Sequence, residues 1–583
     1  MPEYSKEDLR NLRHTGAHLL AMAVKDLYPG AQNAIGPAID DGFYQDFDLG
    51  EHTISEEDLP KIQKMMKELV KDWGAFEERE VSADEAKELF ADNPYKLELI
   101  DDFATEGKEI TVNNPGTFLD LCKGGHFDNA SKHLRHFKLL STAGAYWRGD
   151  HSKQMLTRIY GTAFFTKEDL TAHLTMLEEA KKRDHRKLGQ QLDLFTFSPL
   201  VGPGLPLWTP RGTLVRNLLD EFVWQLRQER GYTRVEIPHI TKKELFETSG
   251  HWEKFQDELF KITTREGHQF AMKPMNCPFH TQIFDRKKHS YREMPQRYAN
   301  TTTCYRDEQT GELQGLSRVR AFSQDDAHVF CRESQFVEEA LKIWDIIEAF
   351  YGGTGFGELT IRLSLRDPAT PEKYQGSDEL WERSEQQLRE LISQKKADAV
   401  EAPGEAAFYG PKIDFLSKDS LGREWQVATI QADRTMPENF DLACINEAGE
   451  RERIVMIHAA IMGSIERFMS VLLEHHAGAL PLWLSPVQVA VLPISDDQLD
   501  YAQSIVAELQ AGGMRAESDT RSESSSKKIR EAETMKVPVM LIVGKKEAEA
   551  GSVSVRSRVV EETDSATLPE LQEQLTQALA ERR

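Results

Sequence analysis

The sequence has 583 residues, of which 39% are hydrophobic and 29% charged, which is enough for about three or four domains with separate cores. Its net charge of -24 argues against nucleic-acid binding, because phosphate contacts come from lysine and arginine. An apolar run long enough to span a membrane and an apolar signal core are both absent, so we expect a cytosolic protein.

The five cysteines are an odd number scattered over the chain, which argues against a disulfide framework and for reduced thiols. Any cysteine with a functional role should therefore act as a ligand or a catalytic group. The five are Cys122, Cys277, Cys304, Cys331 and Cys444.

The first segment predicts an α+β domain over residues 1–165. Ser5 and Asp8 stand at capping-box spacing before apolar residues in helical rhythm, which predicts a helix over residues 6–27. Short alternating segments follow, and a second helix is expected near residues 55–72.

Residues 166–187 have a capping residue and a basic last turn, which is typical of a single helix. We therefore expect a linker helix over residues 166–195. Residues 196–484 combine helices with strand-like runs (GELTIRLSL, REWQVATIQA) without regular βαβ alternation, which favours an antiparallel sheet. Within this segment, the charged residues 368–405 predict an exposed helical excursion.

Residues 485–583 form the last predicted domain. Their order of elements is strand, helix, strand, helix, strand, strand and helix. This order predicts a small α/β domain with a mostly parallel sheet.

Two motifs in the middle segment indicate a nucleotide site. In the first, Arg306 and Glu308 precede a glycine-containing turn that leads to Arg318 and Phe322. Two arginines can hold different phosphates of one nucleotide, a carboxylate between them can accept from an adenine amino group, and an aromatic ring can stack on the base. Alone, an Arg-x-Glu pattern is more often a surface salt bridge. The second motif is the GSIERF segment, which contains Arg467.

These motifs, with the helix-then-strand segment EFVWQLRQERGYTRVEIP upstream, resemble the three signature motifs of class II aminoacyl-tRNA synthetases. The segments KPMNCP, QDDAHVF, AFYGPKIDF and the block from His458 are similar to the threonyl-tRNA synthetase family of bacteria. The resemblance runs from about residue 6 to the C-terminus.

The resemblance implies an α+β editing domain that removes misattached serine, a class II antiparallel-sheet catalytic domain and a C-terminal α/β anticodon-binding domain. It also implies a homodimer that uses ATP with Mg²⁺, L-threonine and tRNA(Thr). The ubiquitin-like domain with which the family often begins is expected to be absent.

The resemblance also assigns residues. Arg306 would contact the α-phosphate, Glu308 the adenine amino group and Arg318 the γ-phosphate, while Phe322 and Arg467 would enclose the adenine ring. The implied catalytic residues are Arg306, Arg467 and Lys412. The implied ATP site comprises Arg306, Glu308, Arg318, Phe322, Gln426, Thr429 and Arg467. The implied threonine site comprises Tyr409, Gln324, Asp326 and Gln431.

Cys277, His328 and His458 match the three zinc ligands of the family. Their spacing belongs to no local zinc pattern, so only the resemblance implies one Zn²⁺ per chain. Open positions on the metal would suit the amino and hydroxyl groups of threonine. Valine lacks the hydroxyl and should be rejected by about 10⁴- to 10⁵-fold, whereas serine lacks only a methyl, worth about 1–3 kcal/mol, and should be activated. A hydrolytic editing site is therefore needed.

His14 and His18 lie one helical turn apart, and Cys122 and His126 have the same spacing. On the pattern alone, the four residues form either a tetrahedral zinc set or an unrelated pair of histidines with later residues. The surrounding segments resemble the editing domain of bacterial threonyl-tRNA synthetases, which implies water positioning without an obligatory metal. The other residues implied for this pocket are Lys96, Asp120 and Tyr44.

In the last domain, Glu547 and Arg556 align with positions expected to read anticodon bases, while the segment from Ser522 departs from the usual helix entry. The basic cluster at residues 181–187 offers tRNA local positive charge despite the acidic total. Two alternatives stay open, namely a synthetase for proline or serine and a catalytically silent RNA-binding regulator. Threonine-dependent ATP–pyrophosphate exchange separates all three.

Overall fold

The computed structural model describes residues 4–116, 118–150, 152–357, 359–418 and 423–582. The chain divides into two compact units, one ending at Glu178 and the other beginning at Glu179. Within the described ranges, no helix has the length and apolarity that crossing a membrane requires.

The N-terminal unit places one long helix against an antiparallel sheet. The sheet has the order β1-β3-β8-β7, with β2 paired to β3, and a smaller sheet has the order β4-β5-β6. The elements are α1 (Lys6–Leu27), β1 (Gln32–Asn33), β2 (Ala38–Ile39), β3 (Gly42–Asp48), α2 (Leu59–Leu69), β4 (Glu77–Glu80), α3 (Ala83–Leu89), α4 (Pro94–Thr105), β5 (Thr111–Asn114), β6 (Asp120–Leu121), α5 (Ala130–His133), β7 (His136–Tyr146), β8 (Met155–Phe164) and α6 (Lys167–Arg183).

Helix α1 confirms the predicted capping box. The Asp8 backbone N–H donates to Ser5 Oγ at 3.0 Å, and the Ser5 backbone N–H donates to Asp8 Oδ2 at 2.8 Å. The apolar face of α1 is buried, with Leu12, Leu19 and Leu20 in one core with residues of β3 and β8. The predicted helix near residues 55–72 is also present, as α2 with a 3₁₀ turn at each end.

The second unit is built on an eight-stranded sheet of order β11-β16-β17-β24-β21-β20-β18-β19. Its elements up to residue 475 are α7 (His185–Gln191), β9 (Phe195–Thr196), β10 (Leu207–Trp208), α8 (Pro210–Gln228), β11 (Thr233–Arg234), β12 (Ile240–Lys242), α9 (Lys243–Thr248), α10 (His251–Lys254), β13 (Lys261–Thr263), β14 (Gln269–Met272), α11 (Cys277–Asp285), β15 (His289–Ser290), β16 (Gln296–Tyr305), β17 (Ala321–Cys331), α12 (Phe336–Gly353), β18 (Thr360–Leu365), α13 (Asp378–Lys395), β19 (Ala399–Pro403), β20 (Lys412–Lys418), β21 (Glu424–Asp433), α14 (Thr435–Asn439), β22 (Ala443–Ile445), β23 (Arg451–Arg453), β24 (Val455–Ser464) and α15 (Ile465–His475).

The large sheet is antiparallel except where β11 pairs with β16 and β18 pairs with β19. This confirms the predicted antiparallel fold, and the two strand-like runs are β18 and β21. The main core lies between this sheet and the helices that pack on it, among them α8, α12 and α15. The opposite face carries polar side chains such as Gln324, Asp326 and His328, and beside them a smaller apolar cluster that includes Phe330 and Met456.

Two sequence predictions about helices need correction. The expected single linker helix is two helices, because Asp184 leaves helical geometry and its side chain accepts from Arg186 N at 2.8 Å, which caps α7. The predicted excursion at residues 368–405 does contain a helix, α13. One face of it is buried, however, at Trp381 and Leu388, and it packs on α12.

The C-terminal region of the second unit is an α/β fold with sheet order β26-β25-β27-β28-β29. Its elements are β25 (Val489–Pro493), α16 (Leu499–Ala511), β26 (Ala516–Ser518), α17 (Ser525–Thr534), β27 (Val539–Val543), α18 (Lys545–Ala550), β28 (Val553–Ser557), β29 (Thr563–Ala566) and α19 (Leu568–Ala580). The sheet is mixed rather than mostly parallel, since β25 pairs in parallel with β26 and β27 whereas the β27–β28 and β28–β29 pairs are antiparallel.

Candidate active sites

Strand β17 connects the two expected ends of the catalytic site. Phe322, Gln324, Asp326 and His328 occupy every second position of this strand. Because side chains alternate between the two faces of a sheet, these four share one face. The first and last lie about 20 Å apart at about 3.3 Å per residue, so one strand carries both nucleotide and metal candidates.

The β16–β17 loop (residues 306–320) carries most of the residues expected to bind ATP. Arg318 Nε donates to Glu308 Oε2 at 2.7 Å, and the Arg306 guanidinium lies 5.2 Å from the centre of the Phe322 ring. The Arg306 Nε is buried and has no hydrogen-bond partner among the described residues. Since the Glu308 carboxylate already accepts from Arg318, a nucleotide that bound to Glu308 would have to replace this hydrogen bond.

Arg467, on α15, is brought to the same loop. Its Nε donates to the backbone oxygen of Ser317 at 3.0 Å. Burial lowers the pKa of Arg467, and the nearby guanidiniums of Arg306 and Arg318 lower it further. Three arginines that repel one another are stabilised by an anion, so the cluster suits a polyphosphate.

Asp414 on β20 is a functional candidate that the sequence reasoning missed. The residue is fully buried, and its Oδ1 accepts from Gln426 Nε2 at 2.8 Å and from Thr429 Oγ1 at 3.2 Å. Its Oδ2 accepts from Lys412 Nζ at 2.9 Å. One carboxylate therefore gathers three residues that the resemblance assigned separately to catalysis and ATP binding.

Cys277, His328 and His458 form a buried cluster, in which one ligand atom from each lies within 4.8 Å of the others. Cys277 begins α11, while His328 and His458 are paired directly across β17 and β24. Burial raises the pKa of the Cys277 thiol well above its usual value and lowers that of His328 well below its usual value. Without a cation, the cluster is therefore a thiol with a neutral His328 imidazole.

The surroundings of the two histidines fit a metal centre. His328 Nε2 and His458 Nδ1 face each other at 3.1 Å. The outer nitrogens have other neighbours, since His458 Nε2 lies 2.8 Å from Asp433 Oδ2 and His328 Nδ1 lies 2.7 Å from His280 Nδ1. A histidine that binds a metal through one ring nitrogen characteristically contacts another polar group through its second ring nitrogen. A thiol with two imidazoles suits zinc.

The residues expected to bind threonine surround this cluster. The Tyr409 hydroxyl donates to Gln431 Oε1, and the Tyr409 ring centre lies 5.1 Å from that of His458. Gln431 is paired with His458 across β21 and β24. On the other side, Asp326 Oδ2 accepts from Asn276 Nδ2 at 3.0 Å, and burial raises the pKa of Asp326 to about 6.

A second cluster lies in the N-terminal unit. Cys122 Sγ is 3.4 Å from both His14 Nε2 and His126 Nε2, and His18 belongs to the same group. His14 Nδ1 lies 3.2 Å from the backbone oxygen of Gly125, which can only accept, so a neutral His14 carries its proton there and leaves Nε2 unprotonated beside the Cys122 thiol. Burial lowers the pKa of His14, lowers that of His126 to about 2 and raises that of Cys122 to about 12.

Asp120 organises the inner wall of this cluster. Its carboxylate accepts from Lys96 Nζ at 2.8 Å and from Asn33 Nδ2 at 3.1 Å, and it lies 3.3 Å from His18 Nδ1. All four side chains are buried. A cavity of about 400 Å³ opens beside them and is lined in part by Lys96, His14 and Cys122.

The structure does not bring Tyr44 to this cavity. Neighbouring Gln45 lines it instead, because adjacent residues of β3 point to opposite faces. The Tyr44 ring stacks under the guanidinium of Arg158 at 3.8 Å, on the other face of the sheet. The assignment of Tyr44 to the pocket is therefore wrong.

The two anticodon candidates lie on different elements of the C-terminal region. Glu547 is in the first turn of α18, where its carboxylate accepts from Gly544 N at 2.8 Å and caps the helix. Arg556 lies on β28 with an exposed side chain. Ser522 is exposed in the turn before α17.

Comparisons with known proteins agree with this fold and these sites. Residues 260–476 match the model of the tRNA synthetase class II core domain (G, H, P, S and T), and residues 488–578 match that of an anticodon binding domain. The fold and the arginine-rich loop thus define a class II aminoacyl-tRNA synthetase.

Individual relatives show which family of class II synthetases the chain resembles. A threonine–tRNA ligase of Gloeobacter violaceus is 48% identical over 572 residues, which cover 97% of this chain and 91% of the relative. One of Rubrobacter xylanophilus is 48% identical over 556 residues, or 95% of this chain and 86% of the relative. The crystal structure of the RNA binding domain of threonyl-tRNA synthetase from Cryptosporidium parvum superposes with a TM-score of 0.64 at 37% identity, covering 68% of this chain and 98% of that chain.

The chain belongs to the threonine–tRNA ligase family. It is an aminoacyl-tRNA synthetase that uses ATP to join threonine to tRNA, which excludes the synthetase for proline or serine and the silent RNA-binding regulator.

Proposed function

We propose that threonine is activated on the polar face of the large sheet, with ATP at one end of β17 and the amino acid at the other. The observation that carries this proposal is the row of Phe322, Gln324, Asp326 and His328 on one strand face. In-line attack by a carboxylate on the α-phosphate requires the two substrates to lie side by side, and such a row supplies that alignment.

In this proposal Arg306 meets the charge that develops on the α-phosphate during attack. Arg318 leaves Glu308 for the terminal phosphate, and the freed carboxylate accepts from the adenine amino group. Phe322 and Arg467 enclose the adenine ring. Mg²⁺ accompanies the phosphates of ATP.

Asp414 contributes by holding Lys412 beside Gln426 and Thr429, so that all three face the nucleotide in fixed orientations. Because Asp414 is buried and accepts from Lys412 Nζ, it fixes the position from which Lys412 would reach a phosphate. This is a positioning role that requires no contact between Asp414 and a substrate.

We also propose that Cys277, His328 and His458 hold one Zn²⁺, which would supply Lewis-acid positions for the amino and hydroxyl groups of threonine. Around it, Asp326 would orient the substrate amino group, while Tyr409 and Gln431 would bound the side chain. A hydroxyl-bearing amino acid is thereby favoured over its isostere without the hydroxyl.

The N-terminal unit would hydrolyse serine misattached to tRNA(Thr). His14 is neutral and presents an unprotonated Nε2, so it can take a proton from water that it orients. Lys96, fixed by Asp120, would lie near the ester or the terminal ribose. His18, Cys122 and His126 complete a polar pocket that places the water without an obligatory metal.

A metal analysis of the purified protein and two variants tests both site assignments. We expect one zinc per chain, lost in Cys277→Ala and unchanged in Cys122→Ala. Two zinc ions per chain, with one lost in Cys122→Ala, would make the N-terminal site a metallohydrolase. A wild-type protein without zinc would remove the basis for threonine selection.

The tRNA anticodon would meet the C-terminal region through Glu547 and Arg556. Freeing Glu547 for a base would require its helix-capping contact with Gly544 to break. We further propose a cytosolic homodimer, as is usual for this synthetase subclass, and sedimentation of the purified protein tests the dimer.

A further inference from the structure

His185, at the start of α7, is a buried histidine to which no role in the reaction has been assigned. Its Nε2 accepts from Leu316 N at 3.0 Å, and its Nδ1 lies 2.8 Å from Glu474 Oε1. Because the Leu316 amide must donate, Nε2 is unprotonated and the ring proton is on Nδ1, which donates to Glu474. Glu474 thus fixes the tautomer and the orientation of the ring.

Leu316 belongs to the β16–β17 loop, and the next residue, Ser317, is hydrogen-bonded to α15. Ser317 O accepts from Arg467 Nε at 3.0 Å, and Ser317 Oγ lies 2.9 Å from Ser470 Oγ. The loop is therefore held between α7 and α15 immediately before Arg318. Loss of the contact from α7 would leave the buried Leu316 amide without its acceptor.

Gly315 provides a second, steric observation at the same place. A Cβ atom on this residue would lie 2.3 Å from His185 Nε2, and its φ of +51° lies in the left-handed region. The loop backbone therefore approaches the imidazole as closely as a residue without a side chain allows. The contact depends on both the ring and the glycine.

We propose that His185, oriented by Glu474, is a positioning residue that holds the β16–β17 loop in the geometry required for ATP binding. This inference rests on the ATP-binding role proposed above for that loop. His185 touches no reacting atom. Its effect passes through Leu316 to Arg318, because a small displacement of a binding group weakens the substrate contacts.

The test compares two isosteric replacements of the ring. Glutamine places its amide close to the Nε2 position and can still accept from Leu316, whereas asparagine reaches only the Nδ1 position and Glu474. In threonine-dependent ATP–pyrophosphate exchange, His185→Asn should raise the KM for ATP about tenfold, the effect of one lost hydrogen bond. The KM for threonine should not change, and His185→Gln should retain the wild-type KM for ATP.

His476→Asn is the matched control, because His476, two residues after Glu474, has its Nε2 2.9 Å from Thr354 O and does not touch the loop, and asparagine cannot reach the Nε2 position. It should lower the melting temperature without changing the KM for ATP. Equal KM values for ATP in His185→Gln and His185→Asn, or a wild-type value in His185→Asn, would contradict the positioning role. Arg306→Ala tests the underlying function separately, since full exchange in that variant would disprove the ATP assignment itself.

Discussion

Arg306→Ala should reduce catalysis without reducing the stability of the fold. The guanidinium contributes a cation–π contact with Phe322 worth about 0.5–1 kcal/mol, while its buried, unpaired Nε costs about 1–3 kcal/mol. Removing the side chain should therefore leave the free energy of unfolding unchanged or slightly raise it. Loss of the group that meets developing phosphate charge should slow threonine-dependent pyrophosphate exchange about 10³-fold.

The matched control is Arg515→Ala, which should show the opposite pattern. The Arg515 guanidinium donates to the backbone oxygens of Trp483 at 2.7 Å and Ser485 at 3.0 Å, so its removal should cost about 2–3 kcal/mol of stability. It lies outside the proposed ATP site and should leave exchange unchanged. Thermal melting and exchange are measured on both variants. An Arg306→Ala protein that exchanges normally, or that unfolds much earlier than the wild type, would refute this reasoning.

Three further predictions follow from the other sites. His14→Ala or Cys122→Ala should leave threonine activation near normal but let serylated tRNA accumulate, and full hydrolysis of serylated tRNA by these variants would disprove the editing site. Because burial lowers the pKa of His14 below 6.5, more than half of the rings are still neutral at pH 6.5, so hydrolysis should fall by less than half between roughly pH 7.5 and 6.5. A larger fall would exclude His14 as the base. Asp414→Asn leaves Lys412 without its buried carboxylate and should cost about 3–5 kcal/mol of stability, whereas Asp345→Asn, in a surface pair with Lys395, should cost about 1 kcal/mol or less, as urea denaturation would measure.

Local patterns of the sequence predicted local structure well. The capping box at Ser5 and Asp8 is formed by residues three apart, and α1 begins there. The break at Asp184 was missed because the residues on both sides favour helix equally. Only the capping contact of the Asp184 side chain with Arg186 distinguishes two helices from one.

Sequence motifs predicted the site residues that they contain. They did not predict the contacts that the fold makes to those residues. Asp433 and His280 lie far along the chain from His458 and His328, which they contact, and no spacing rule connects them. Asp414 is close in sequence to Lys412, but it meets Gln426 and Thr429 only because β20 pairs with β21. Tyr44 shows that an error of one residue is enough to misplace a side chain on a strand. A shift of one residue exchanges the two faces of β3, so that Gln45 rather than Tyr44 reaches the cavity.

The central claim is that a metal centre at Cys277, His328 and His458 selects threonine by its hydroxyl group. ATP–pyrophosphate exchange with threonine, serine and valine tests it most directly. Serine should be less efficient than threonine by about 10- to 200-fold, and valine by about 10⁴- to 10⁵-fold. Valine that supports exchange as efficiently as serine would contradict the claim, because the pocket would then be selecting size and not the hydroxyl.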